Sequence, residues 1–216
     1  MKKYIILLFT IILIGCSIYI QNPLLTERYL PVPLVTQQTN YSCGPASLLS
    51  VLYYWQVYTG DEQSLYGALG TTPENGTHPF KIIEVAKKMG LDSYFIDRLT
   101  INDLQYYLEQ RITVILDLQA WSKLSPEKNK QPWEDTWEDG HYVVLIGLDN
   151  ENVYIMDPST HGYYAYVPIK ELMVRWHDYE INPNGTIWKN YQLGIIIIGT
   201  NPVTTINNPK YFKRMY

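Results

Sequence analysis

The chain has 216 residues, 46% of them apolar and 18% charged, with a formal net charge of −4, enough for one domain with a sizeable core. Thirteen Gly and thirteen Pro, about 12% of the chain, exclude low-complexity and collagen-like classes, and the lack of a Lys/Arg block argues against nucleic acid as a partner. Two cysteines, Cys16 and Cys43, cannot build a disulfide framework, and His78, His141, His161 and His177 show no spacing suited to a structural zinc or other metal.

The chain opens with Met1-Lys2-Lys3 and then Tyr4 to Ile14, apolar except for Thr10. A basic start followed by an apolar run of this length describes an export signal. Its ending, Leu13-Ile14-Gly15-Cys16, resembles a bacterial lipobox, in which Cys16 is acylated and becomes the mature N-terminus. The alternatives are an uncleaved anchor helix over Tyr4 to Ile20 and plain secretion. Seventeen residues span only about 25 Å of helix, against a hydrocarbon core of roughly 30 Å. All three readings place the domain outside the cytoplasm, and the first two tie it to a membrane. Residues 1–20 are thus read as signal or anchor, 21–33 as a tether, and 34–216 as one domain.

Leu30 to Val35 reads as an extended lead-in or edge strand, because Pro31 and Pro33 remove ladder donors. Cys43-Gly44-Pro45 opens an apolar run to Trp55, with Pro in the first turn, so this helix is expected to be central and buried. Shorter helices are expected from Asp61 to Leu69, from Thr77-His78-Pro79 to Gly90, and over Ile101 to Gln110 with Thr100 as cap. Ile112 to Leu118 reads as a strand broken only by Asp117, and Gln119 to Gly140 as a polar loop pinned by Trp121, Trp133 and Trp137. Tyr142 to Leu148 and Val153 to Met156 form a hairpin through Asp149-Asn150-Glu151-Asn152. A strand over Tyr163 to Val167, a helix over Pro168 to Trp176 and a last buried strand over Gln192 to Gly199 complete the pattern. Helices before strands argue for α+β, a helical N-terminal part with a central buried helix packed on a C-terminal antiparallel sheet. His161 and His177 read as surface or helix-end residues.

A free cysteine is most often a small buried hydrophobe. At the head of a helix the macrodipole favours its thiolate, which makes Cys43 a candidate nucleophile. His141 follows Gly140 at the start of one hairpin arm, and Asp157 lies sixteen residues on, at the end of the other. Whether they meet depends on register, since side chains alternate between faces. Asp157 opposite His141 or Val143 shares the imidazole's face; opposite Tyr142 or Val144 it points away unless a bulge intervenes. Gln37 and Gln38 both precede Cys43 at distances suited to an oxyanion donor.

Taken together, Gln37-x5-Cys43-Gly44-Pro45, Gly140-His141-Tyr142-Val143-Val144 and Asp157-Pro158 resemble the C39-type cysteine peptidases of the papain-like superfamily, over roughly Val32 to Gly199. That resemblance implies a papain-like fold and a peptide or protein substrate. It assigns Cys43 as nucleophile, His141 as acid and base, Asp157 as the group fixing the ring's tautomer and Gln37, rather than Gln38, as oxyanion donor. No metal or organic cofactor is implied. The family's peptidase domains are often fused to ABC transporters and cut after two glycines; with no transporter in this chain, that substrate is not expected. Two other functions use the same residues: acyl transfer to an amine, and a tethered binding lipoprotein without activity. The sequence carries no reading of oligomeric state.

Overall fold

The structure, a computed structural model, describes residues 29–121, 131–182, 184–205 and 212–215. The export signal, Cys16 and most of the tether lie outside the described residues. Among the described residues no helix is long and apolar enough to cross a membrane.

Helix α1 (Cys43–Tyr54) is apolar on nearly every side and buried over most of its length. Such a helix belongs inside the molecule. After it come α2 (Tyr66–Leu69), α3 (Pro79–Lys88), β1 (Asp92–Ile96) and α4 (Ile101–Glu109). Pro79 starts α3, where His78 Nδ1 accepts the Phe80 N–H at 3.3 Å. Thr100 and Asp103 close a capping box on α4, each side chain accepting the other's backbone N–H. Asp61 Oδ1 likewise closes the turn before α2 by accepting from Ser64 N and Oγ.

The remaining elements are β2 (Thr113–Gln119), β3 (Gly140–Leu148), β4 (Asn152–Met156), β5 (Tyr164–Pro168), α5 (Ile169–Arg175), β6 (His177–Ile181), β7 (Ile187–Tyr191), β8 (Gly194–Ile198) and β9 (Phe212–Arg214). Seven strands form one sheet in the order β1-β8-β2-β3-β4-β5-β9, antiparallel except for β5 with β9, while β6 and β7 form a separate hairpin. Leu48, Val51 and Leu52 of α1 and Ile82 and Val85 of α3 cover one face through Ile115, Val144, Ile146, Met156 and Ile195. Leu104 of α4, with Leu172 and Trp176 of the α5 end, covers the other through Leu116, Val143, Leu145, Ile155 and Ile196. Each such side chain, fully removed from water, contributes roughly 1.5–3 kcal/mol before chain entropy.

The α+β architecture expected from sequence is the one observed. Three expectations need correction. Strand β1 interrupts the helical half, because the Tyr94-Phe95-Ile96 run can pair with the all-apolar β8. Strand β8 is not the last, since β9 adds to the sheet edge. His177 is neither exposed nor idle: it is buried at the start of β6, with Nε2 2.8 Å from the Thr136 carbonyl, because Trp137 folds over its ring. For the lead-in, the first of the two expected forms is observed: residues 30–36 are extended and belong to no strand, tied down by side chains at Ser50 and Tyr164.

Candidate active site

Cys43 is the first residue of α1, partly buried, and is a free thiol. Ser42, before it, makes no side-chain cap on the helix; its hydroxyl turns back to Thr39 instead, accepting from N at 3.0 Å and donating to O at 3.2 Å. The first-turn N–H groups are thus left for whatever negative charge develops at Cys43. Gly44 is required next, because a Cβ there would come within 2.6 Å of Thr77. One turn along, Ser47 Oγ donates to the Tyr142 carbonyl at 3.0 Å. Positions i and i+4 share a helix face, so this bond presents Cys43 to the residue beside Tyr142, His141.

His141 is buried, and its Nε2 lies 2.8 Å from Asp157 Oδ1. The other ring nitrogen, Nδ1, is buried and makes no hydrogen bond, and the Cys43 side chain is near enough to the ring to favour its protonated form. Burial works against the imidazolium, but the Asp157 carboxylate and then Cys43 outweigh it and hold the ring's pKa up at about 9. For Asp157 burial also opposes charge, and His141 with two bonds from Ser159 reverses it, leaving the carboxyl below its ordinary range. Val144 pairs with Met156 in the last rung, and that register carried one residue further puts Asp157 level with Val143, on the face that carries His141.

Gln37 is fixed at the same turn, its N–H donating to the Pro158 carbonyl at 2.8 Å. Its amide Nε2 donates to Thr39 O at 2.7 Å, which leaves a second N–H on that nitrogen, and its Oε1 is buried without a partner. Gln38 is exposed, and its backbone N–H faces the Glu62 carboxylate. Of the two glutamines, only Gln37 is turned inward.

Two neighbours, both visible in the sequence as oddities, are joined to the site only by the fold. Trp121 lays its ring 4.5 Å from the His141 imidazole and shields it from water; the signal was its place just beyond β2, whose Leu118 pairs with His141. The second is a group of carboxyls on the other side of β3. Asp117 sits against Asp178, with Asn190 Nδ2 3.1 Å from Asp117 Oδ2, and Tyr142 donates to Glu180 at 3.1 Å. Asp178 lies so close to Gly140 that any Cβ there would collide with its carboxylate, which is why glycine precedes His141. Burial pushes Asp117 well above the carboxylate range, Asp178 to about 6 and Glu180 to about 8. Among the described residues no group of three or more His, Cys, Asp or Glu is arranged to hold a metal ion.

A buried α1 headed by a thiol, set against an antiparallel sheet that carries an imidazole–carboxylate pair, defines a papain-like α+β protein of the C39 peptidase type. Residues 29–181 match the Peptidase_C39 like family, and the chain belongs to that family. The peptidase domain of Streptococcus ComA, a bifunctional ABC transporter involved in quorum sensing, superposes with a TM-score of 0.56 at 21% identity, over 78% of this chain and 99% of that one. A putative C39-like peptidase from Bacillus anthracis gives 0.55 at 20% identity, over 79% and 96%. A double glycine motif protease from an AMS/PCAT transporter, in complex with its leader peptide, gives 0.52 at 17% identity, over 81% and 96%. These likenesses are of fold. In sequence, an uncharacterized protein of Methanothermobacter marburgensis is 25% identical over 126 residues, 58% of this chain and 71% of that protein.

Proposed function

We propose that the protein is a cysteine peptidase that hydrolyses peptide bonds with Cys43 as nucleophile. The observation that carries this reading is the convergence of a helix-head thiol on a buried imidazole whose far nitrogen is bonded to a carboxylate at 2.8 Å. Cys43 Sγ attacks the scissile carbonyl carbon, and the oxygen becomes an oxyanion. The Cys43 backbone N–H and the second N–H of Gln37 Nε2 face that charge. The His141 imidazolium gives its proton to the departing amine, the C–N bond breaks, and an acyl-thioester remains. Water then adds to the thioester, with His141 taking its proton, and the carboxylic acid leaves Cys43 free. Asp157 keeps the ring oriented throughout and stabilises the imidazolium whenever His141 holds the second proton. No step calls on a metal or an organic cofactor.

The leader peptide bound to the transporter protease supports a peptide as the substrate class here. The lipobox-like start supports a domain working outside the cytoplasm, tethered through lipid on Cys16. Digestion of a peptide library by the wild type and by Cys43→Ala tests the reading. Products are expected from the wild type alone; identical digests would leave a binding lipoprotein, and products that appear only when an amine acceptor is added would leave an acyl transferase.

A further inference from the structure

The hairpin that carries His141 and Asp157 has one residue too many on its first arm. Counted from the tip, Leu148 faces Val153 and Gly147 faces Tyr154. An unbroken ladder would go on to pair Ile146 with Ile155, Leu145 with Met156 and Val144 with Asp157. Val144 stands at an odd offset from His141, so in that ladder the carboxylate and the imidazole would lie on opposite faces of the sheet. The observed pairs are instead Leu145 with Ile155 and Val144 with Met156, the register shifting between Leu145 and Gly147. Carried one residue past the last rung, the shifted register puts Asp157 level with Val143.

A surplus residue leaves backbone groups outside the ladder, and inside a protein these need partners. The Ile146 carbonyl accepts the Leu30 N–H at 2.7 Å, and the Ile146 side chain is buried on the α1 side. From Leu30 the same lead-in runs on to the Asp157 turn. There Thr36 Oγ1 donates to Thr160 O at 3.0 Å and the Gln37 N–H to Pro158 O at 2.8 Å. One stretch of chain thus closes the bulge and holds the turn whose orientation the bulge decides.

We infer that the bulge at Ile146 is a register device: by taking one surplus residue of β3 out of the ladder, closed by Leu30, it keeps the Asp157 carboxylate on the face of His141. The inference deepens the catalytic reading, but the ring itself reports it whether or not peptides are cut. Two length changes remove the surplus without moving the paired partners: deletion of Ile146, and insertion of one valine between Ile155 and Met156. A valine inserted on β3 itself, between Leu145 and Ile146, doubles the surplus. A regular ladder would then bring Asp157 opposite Leu145, about 13 Å along the strand from His141.

The measurement is the NMR titration of the His141 ring in the full chain, with peptide turnover beside it. Deletion of Ile146 and the β4 insertion are each expected to keep the ring midpoint near that of the wild type and to keep turnover within about tenfold. The β3 insertion is expected to drop the midpoint below the ordinary histidine value and to abolish turnover. Equal behaviour of the two insertions, or a folded Ile146 deletion whose ring titrates at or below an ordinary histidine, overturns the inference. A wild type that cuts no peptide while its ring midpoint stays high overturns the catalytic reading alone.

Discussion

Two groups of buried and half-buried carboxyls flank neighbouring residues of β3, and they ionise in opposite ways. Asp157, beside His141, is held below its ordinary range; Asp117, Asp178 and Glu180, around Tyr142, are all held above theirs. Burial alone would raise all four. The difference lies in the partner. Asp157 meets a ring held in its charged form at 2.8 Å and two donors from Ser159, whereas the other three meet one another, a tyrosine hydroxyl and amides, and the nearby His78 ring stands 4.0 Å from Glu180 with its own pKa pushed down by burial. Of two adjacent strand positions facing opposite ways, one sits in a charge-separated pair suited to proton transfer and the other in a proton-sharing cluster suited to holding β6 against β2 and β3.

Removing the charge of Asp157 should break this contrast with the largest effect. Asp157→Asn is expected to cut turnover about 10²- to 10⁴-fold by losing the ring's orientation and charge. The His141 midpoint should fall from about 9 to below 6.5, because the burial that opposes the imidazolium remains. Asp157 and the cluster acids also give opposite signs of stability against pH, and His141 shares the sign of the cluster. His141, raised in the fold, contributes stability that is complete below about 6.5 and is lost as pH rises through about 9. Asp157, lowered in the fold, contributes stability present above its unfolded pKa and lost as pH falls through its folded one. The cluster acids, raised in the fold, contribute stability that is complete below their ordinary pKa and is lost as pH rises through about 6 for Asp178 and about 8 for Glu180.

Gln37→Ala sharpens the catalytic half of the contrast. Losing one oxyanion donor should lower kcat about 10²- to 10³-fold with little change in KM, and steady-state kinetics separates the two. A smaller effect belongs to the cluster. Glu180→Gln keeps an acceptor for Tyr142 and removes a partly buried charge, so the variant should match the wild type at pH 4 in chemical denaturation. At pH 8.5 it should be more stable by about 1–2 kcal/mol, discounted for the residual exposure of Glu180. A variant less stable at both pH values would show that the carboxylate is held by a cation.

Much of the charge-separated half was legible in the sequence, and little of the cluster was. Cys43 at a helix head, His141 after glycine and Asp157 before proline are local patterns, and turn chemistry at Asp149 gave the hairpin that joins the last two. The facing of Asp157 was legible only as a condition, because one bulged residue decides it and a bulge has no compositional mark. Asp117 was visible as an oddity in an apolar strand. Its partners Asp178 and Asn190 come from a hairpin some sixty to seventy residues away, so no periodicity could join them. Trp121 was likewise read as a loop anchor, since its contact with His141 follows from the β2–β3 pairing and not from its neighbours in sequence.

The pairing of Cys43 with His141 is most directly tested by the rate of Cys43 alkylation by iodoacetamide at pH 6, in the wild type and in His141→Ala. A thiolate held by an imidazolium predicts a wild-type rate at least about tenfold above that of the variant. Equal rates in the two proteins would contradict it.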